Sequence, residues 1–211
     1  MVKSLFDAVM ERRSGRLIAQ VGAWLPATGP VLDLGSGTGH FSARVERERK
    51  LEVITADVSD LHVVGRPPVL VADAVLPFKQ ETFSAALLCF MLSYPRDPAS
   101  VLTEVARVTR GPIILVQTLH SNRFGYVWLR AREFVWTVVA FHVSKLVGYV
   151  SPDAKFTMNA RRFFTAHDLQ RELAAAGLRI RARHERVLLP FRSLFIAGWI
   201  LEPAAAAKRD A

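Results

Sequence analysis

The segment Asp33-Leu34-Gly35-Ser36-Gly37-Thr38-Gly39 puts three glycines at alternate positions just after an acidic residue. Glycines so placed let the chain turn sharply and bring its backbone against a ligand without Cβ collisions. A dinucleotide fingerprint, G-x-G-x-x-G/A, requires a small third residue at position 40, which is His40. A P-loop requires lysine at the helix start, and none is there. Asp33 would repel a pyrophosphate but suits a ligand with an ammonium or sulfonium charge. Asp57, eighteen residues beyond Gly39, ends an apolar run, where a carboxylate can accept from both ribose hydroxyls. Asp73 ends another such run and is placed to accept from an exocyclic adenine amine. Three acidic residues at three successive strand ends outline a nucleoside bearing a positive substituent.

The elements that must position these residues follow from hydrophobic periodicity. Leu5, Val9, Met10, Leu17, Ile18 and Val21 are spaced for an amphipathic helix before Pro26. Strands are expected at 31–34, 51–57, 68–73, 83–90 and 112–118, with helices from about Gly39 and over 97–108. Strands alternating with helices predict a parallel, doubly wound α/β sheet with right-handed crossovers. Residues 121–160 contain no obvious strand. A helix follows over 165–176, with Thr165 and Asp168 suited to a capping box and Gly177 to the stop. Two strands, near 178–188 and 193–201, close the pattern. The chain reads as one domain over 1–211, with an N-terminal helix in 1–25 and a substrate-cap insertion at 121–160.

VLDLGSGTG, the strand ending in Asp57, ADAVLPF (72–78) and TEVARV (103–108) together resemble the class I S-adenosylmethionine-dependent methyltransferases. Within that superfamily the chain is similar to the small-molecule branch that includes quinone and natural-product methyltransferases. The similarity spans roughly residues 28–118, and RFFTAHDLQRELAAAGL (162–178) resembles the family's late helix. The resemblance implies a Rossmann-like sheet of seven strands in the order 3-2-1-4-5-7-6, the last antiparallel, with a helical insertion after strand 5. It implies S-adenosyl-L-methionine as cofactor. Gly35, Ser36, Gly37 and Gly39 would pass against its methionine portion, with Asp33 near the amino group. Asp57 and Val58 would hold the ribose side, Asp73 and Ala74 the adenine, and Phe90 and Met91 would line the pocket beyond the fourth strand. The chain departs from the family between Asp57 and Val69, where eleven residues replace a longer helix. Residues 59–64 allow one or two turns at best, which thins one wall of the adenine pocket.

A sulfonium methyl is already a strong electrophile, so such an enzyme must mainly align the acceptor and exclude water. A base is needed only for a poorly acidic nucleophile. Tyr94, after the fourth strand, and His120, after the fifth, stand where the site of an open α/β sheet lies and are the catalytic candidates. His40 reads as a helix-start or pocket-lining residue rather than a catalytic one, and His167 in a capping turn as structural. No HxxxH or CxxC pairing suggests a metal. FMLSYP stands where amine-methylating nucleic-acid enzymes carry N-P-P-Y or D-P-P-Y, which counts against base-amine methylation.

Charge separates the two halves. Residues 1–105 carry 11 basic and 12 acidic residues (−1), and 106–211 carry 17 and 7 (+10), together the net +9. A basic surface suits nucleic acid, anionic lipid or an acidic substrate. In the insertion, Trp128, Trp136, Phe141 and His142 are candidate substrate contacts, and arginines flank an uncharged run from Phe134 to Ser144. That run of eleven residues is well short of the roughly 20 that span a bilayer. An apolar stretch bordered by arginines suits an interfacial helix or an amphiphile with an acidic head. Arg179, Arg181 and Arg183 follow strand periodicity, which predicts one shared face. Asp7 and Glu11 break the N-terminal segment too early for a signal peptide, and a single cysteine, Cys89, excludes an internal disulfide. The expected setting is cytoplasmic, with peripheral contact at an anionic membrane surface. The expected function is methyl transfer to an apolar or amphiphilic small molecule; the alternatives are an RNA-directed methyltransferase and a cofactor-binding partner without catalysis.

Overall fold

The computed structural model describes residues 2–72, 75–135, 141–150 and 160–204. In chain order the elements are α1 (Val2–Val21), β1 (Val31–Leu34), α2 (His40–Arg49), β2 (Val53–Asp57), β3 (Val69–Leu70), β4 (Ala85–Cys89) and α3 (Pro98–Val108). They continue as β5 (Ile113–His120), α4 (Arg123–Phe134), α5 (Phe141–Leu146), α6 (Ala166–Ala175), β6 (Leu178–Val187) and β7 (Leu194–Pro203). The seven strands form one sheet in the order β3-β2-β1-β4-β5-β7-β6. Strands β1 to β5 are parallel, and β7 runs antiparallel to both of its neighbours.

Burial on both faces explains the continuous apolar runs of the central strands. One face packs Leu32, Leu88 and Leu115 against α3 and α6 through Val101, Leu102, Val105, Leu169 and Leu173. The other packs Val31, Leu87 and Ile114 against α1 and α2 through Leu17, Val21, Phe41 and Val45. The helix ends are those the sequence specifies. Asp97 accepts from the Ser100 N–H with Pro98 in the first turn of α3, and Thr165 and Asp168 complete a reciprocal capping box on α6. Each cap of this type contributes roughly 1 kcal/mol.

Two expectations change. The third strand shrinks to two residues, pairing Ala56 with Val69 and Asp57 with Leu70 at the sheet edge. Pro67 and Pro68, which have no N–H to donate, precede it directly. The arginines of β6 do not share one face. A bulge between Ile180 and Ala182 shifts the register, so Arg179 pairs with Glu202 while Arg183 lies opposite Trp199, three residues away on β7. Arg179 and Arg183 therefore occupy opposite faces of the sheet.

Segment 58–65, where the sequence leaves room for a short helix, forms only bends. It folds back over the glycine turn, where the Val63 N–H donates to the Thr38 carbonyl at 3.1 Å. Leu61 packs there with Tyr149 and Val150, joined by Phe6, Val63 and Phe141, so the region after α5 supplies the outer cover.

Candidate active site

The turn between β1 and α2 is built on glycines in the left-handed region. Gly37 (φ +57°) opens onto free space, so its absent side chain serves the conformation. Gly39 (φ +80°) serves packing as well, since a Cβ there would stand 2.3 Å from the Val64 carbonyl oxygen. Asp57, at the end of β2, is buried and ties the turn to the sheet. Its Oδ2 accepts from the Gly37 N–H at 2.9 Å and its Oδ1 from the Val58 N–H at 2.7 Å. Burial raises the Asp57 pKa, while backbone N–H groups of Gly37, Val58 and Ser59 pull it back down. Its two oxygens, with about four lone-pair sites, accept these three N–H groups and keep acceptor capacity to spare.

Beside this turn lies a cavity of about 640 Å³, walled by Leu34, Gly35, Asp57, Val58, Met91 and Tyr94 among others. Its charged lining balances: Asp57 and Asp97 face Arg96 and Arg161. Ser36, Gly37 and Gly39 form the turn rather than the wall. The Ser36 hydroxyl is 2.8 Å from His62 Nε2, which anchors the overlying loop. Asp33 lies behind the turn, 1% exposed, and accepts from the Ser42 hydroxyl at 2.5 Å. Burial raises its pKa to about 6, against the lowering effect of Ser42, and the nearby Asp57 charge adds to the rise. The volume lies within the roughly 300–1,000 Å³ usual for small-ligand sites. A carboxylate with free acceptor sites and an exposed backbone turn fit a nucleoside with an amino-acid tail.

A second cavity, about 550 Å³, opens between α1, the ends of β4 and β5, and α4. Tyr94 lines both cavities. Its hydroxyl donates to Glu133 Oε1 at 2.7 Å. Burial, then the Glu133 charge and hydrogen bond, push the phenol pKa well above its ordinary value, so Tyr94 stays protonated and acts as a donor. Gln117 donates to the Ser93 hydroxyl at 2.9 Å, and its carbonyl oxygen, also buried, has no partner among the described residues.

The two cavities divide the predicted residues. Met91 faces the first cavity, but Phe90 lines the second, contrary to the expectation that both flank the cofactor. Phe90 sits at φ +62°, a strained conformation for an aromatic residue, with the Arg13 guanidinium 4.8 Å from its ring centre. His120 lines neither cavity; its Nε2 lies 3.3 Å from the Phe163 carbonyl oxygen and its ring packs edge-on against Tyr126. Trp128 is exposed on α4 and lines neither cavity. Phe141 packs into the outer cover instead, and His142 is exposed beside it. Asp73, Ala74 and Trp136 lie outside the described residues. His40 is buried between Thr38, Asp7 and Tyr149, in keeping with a structural role.

Sequence reasoning missed Glu133, His62 and the arginines of α1. The spacing of Arg12, Arg13 and Arg16 on one helical face was the available signal, but it did not say what that face would meet.

A family model described as a methyltransferase domain matches residues 6–183. An uncharacterized protein of Mycobacterium tuberculosis strain H37Rv is 28% identical over 187 residues, covering 84% of this chain and 59% of that protein. An uncharacterized Mycobacterium bovis protein matches to the same extent, so the chain spans about three fifths of the length of the curated relatives it matches. Among solved structures, the [4+2]-cyclase SpnF aligns with a TM-score of 0.63 at 15% identity, over 92% of this chain and 80% of that one. A methyltransferase-like protein of Bacillus halodurans aligns at 0.57 and 13%, over 92% and 98%. Geranyl diphosphate methyltransferase in complex with S-adenosylmethionine aligns at 0.57 and 11%, over 91% and 84%. The chain belongs to the methyltransferase-domain family, with the seven-stranded fold of the class I S-adenosylmethionine-dependent methyltransferases.

Proposed function

We propose that this chain transfers a methyl group from S-adenosylmethionine to an apolar or amphiphilic small molecule, such as a quinone, polyketide or lipid-like metabolite. The carrying observation is that two cavities of ligand size share one wall, Tyr94. In this reading the cavity beside the glycine turn holds the donor. The turn backbone from Gly35 to Gly39 lies along its methionine portion and Asp57 takes the ribose hydroxyls. Val58 and Met91 pack beside the nucleoside, and Asp73 and Ala74 complete the adenine side. Asp33, behind the turn, acts on the ligand's ammonium through its field rather than by contact. The bound cofactor supplies an electrophilic sulfonium methyl.

The second cavity then holds the acceptor. Tyr94 orients it by hydrogen bonding, and Glu133 receives the proton if the nucleophile is a hydroxyl. Apolar walls at Met10, Leu17, Phe90 and Leu129 exclude water from the line of transfer. Because a [4+2]-cyclase shares this fold, the assignment leans on the paired cavities and the family match, not on topology. The test is calorimetric titration with S-adenosylhomocysteine, followed by mass spectrometry of a cell extract incubated with the protein and methyl-labelled donor. Binding together with a labelled small molecule is expected. Binding without any labelled product would leave a cofactor-binding protein without catalysis.

The outer face of α4 favours a peripheral membrane contact as part of the same function. Phe124, Val127, Trp128 and Phe134 are exposed there, and the β6–β7 turn beside it carries Phe191, 97% exposed. The helix and the turn are joined by the Asn122 side chain, which donates to the Ser193 hydroxyl at 3.0 Å. Arg123 and Arg130 stand on the same helix, the arrangement an anionic interface attracts. Among the described residues no helix is long and apolar enough to cross a membrane. Sedimentation with anionic liposomes, weakened by Phe191→Ser and Trp128→Ser with S-adenosylhomocysteine binding unchanged, is the expected result.

A further inference from the structure

Charge is distributed very unequally between the two cavities. The one beside the glycine turn has two acidic and two basic wall residues and balances to zero. The other has five arginines (Arg12, Arg13, Arg16, Arg132 and Arg186) against Glu133, a formal +4. Three of the five come from one face of α1 and the others from α4 and β6, so three separate elements converge on the same space.

Several arginines elsewhere have carboxylate partners, among them Arg44 with Glu11 and Glu48, Arg107 with Glu104, Arg162 with Glu172 and Arg171 with Asp168. Among the described residues no carboxylate lies within ion-pair distance of Arg12, Arg13, Arg16 or Arg186, and Glu133 is engaged by Tyr94. Among the described residues Arg132 donates to the Thr118 hydroxyl, at 3.5 Å. Five guanidinium groups facing one carboxylate repel one another, and an anion in the cavity offsets that repulsion. The Gln20 side-chain nitrogen, a buried donor on the same wall, has no partner among the described residues.

We infer that the acceptor carries an acidic group, a phosphate or carboxylate, held by Arg12, Arg13 and Arg16 of α1 with Arg132 and Arg186, while its apolar body lies against Phe90, Leu129 and Ile196. This rests on the reading of the second cavity as the acceptor site. An anion there also counters the repulsion that a +4 wall exerts on a neighbouring sulfonium, so acceptor and donor favour each other's presence.

The probe is octyl phosphate, with octanol and octyltrimethylammonium as controls, in equilibrium dialysis against the full chain with and without S-adenosylhomocysteine. Octyl phosphate is expected to bind at least roughly tenfold tighter than either control. The pairs Arg13→Gln/Arg16→Gln and Arg12→Gln/Arg186→Gln should each weaken it by roughly tenfold or more, while Arg171→Gln, on α6, leaves it unchanged. Equal binding of octyl phosphate and octanol, or equal loss in Arg171→Gln, overturns the inference. Octyl phosphate bound without any S-adenosylhomocysteine binding would sink the methyltransferase reading and leave the anion site standing; the reverse result would do the opposite. Phosphatidylcholine vesicles with and without phosphatidic acid separate the sources. Sedimentation that requires phosphatidic acid and Arg13/Arg16 identifies a lipid head group, and octyl phosphate binding without it identifies a soluble acidic metabolite; capture in neither assay overturns the proposal.

Discussion

The Tyr94 hydroxyl donates to Glu133 across 2.7 Å, joining the end of β4 to the last turn of α4 at the wall between two cavities. The phenol cannot serve as a base at neutral pH, because burial and the adjacent carboxylate hold its proton in place. The carboxylate is the partner able to accept one. Glu133→Gln is therefore expected to lower label transfer to a hydroxyl acceptor roughly a hundredfold or more. Tyr94→Phe should lower it roughly tenfold, and neither should change S-adenosylhomocysteine affinity by calorimetry. An unchanged rate in Glu133→Gln would remove the carboxylate from the chemistry.

Asp57→Ala strands the Gly37 and Val58 N–H groups and removes the acceptor for the ribose. Affinity for S-adenosylhomocysteine should fall roughly tenfold to a hundredfold, with the circular dichroism spectrum retained. Asp57→Asn keeps one carbonyl oxygen and should lose less.

Asp33 gives a pH signature. Its folded pKa, raised to about 6 from 3.8, means the folded state holds this proton more tightly than the unfolded chain. Stability from this group is therefore greatest below about pH 4 and declines as pH rises to about 6, by about 3 kcal/mol in all. Asp33→Asn keeps an acceptor for Ser42 without the charge. It should flatten that decline and raise the melting temperature at pH 7, while weakening cofactor binding. A variant whose urea midpoint matches the wild type at pH 7 would contradict this.

The two glycines should separate in urea unfolding. Gly37→Ala meets no neighbour and costs about 1 kcal/mol for its left-handed backbone, whereas Gly39→Ala also strikes the Val64 carbonyl and should cost several kcal/mol.

Local features were legible in the sequence because short-range chemistry determines them. The glycine turn, the Asp97 cap and the Thr165–Asp168 box lie within a few residues of the groups they serve, and the strand ending in Asp57 shows as a short apolar run. What tertiary pairing decides was not legible. Glu133 meets Tyr94 from 39 residues away, and Arg13 reaches Phe90 from the middle of α1. His120 stands at the end of β5 as predicted, but the returning segment at Phe163 occupies its Nε2. The separation of Phe90 from Met91 follows from the left-handed backbone at Phe90, just past the end of β4, which no sequence pattern announces. The bulge in β6 had no clear sequence signal, and it alone undoes the shared face of the arginines.

Helix α1 contributes seven residues to the arginine-walled cavity and none to the one beside the glycine turn. On the proposed assignment of the two cavities, recognition of the acceptor is modular: much of it resides in the first twenty-one residues, outside the β1–β4 unit that would carry the donor machinery. Divergence confined to that helix can retarget the enzyme to new molecules while its use of the methyl donor stays constant, and a grafted α1 is the smallest exchange that would transplant substrate choice between relatives.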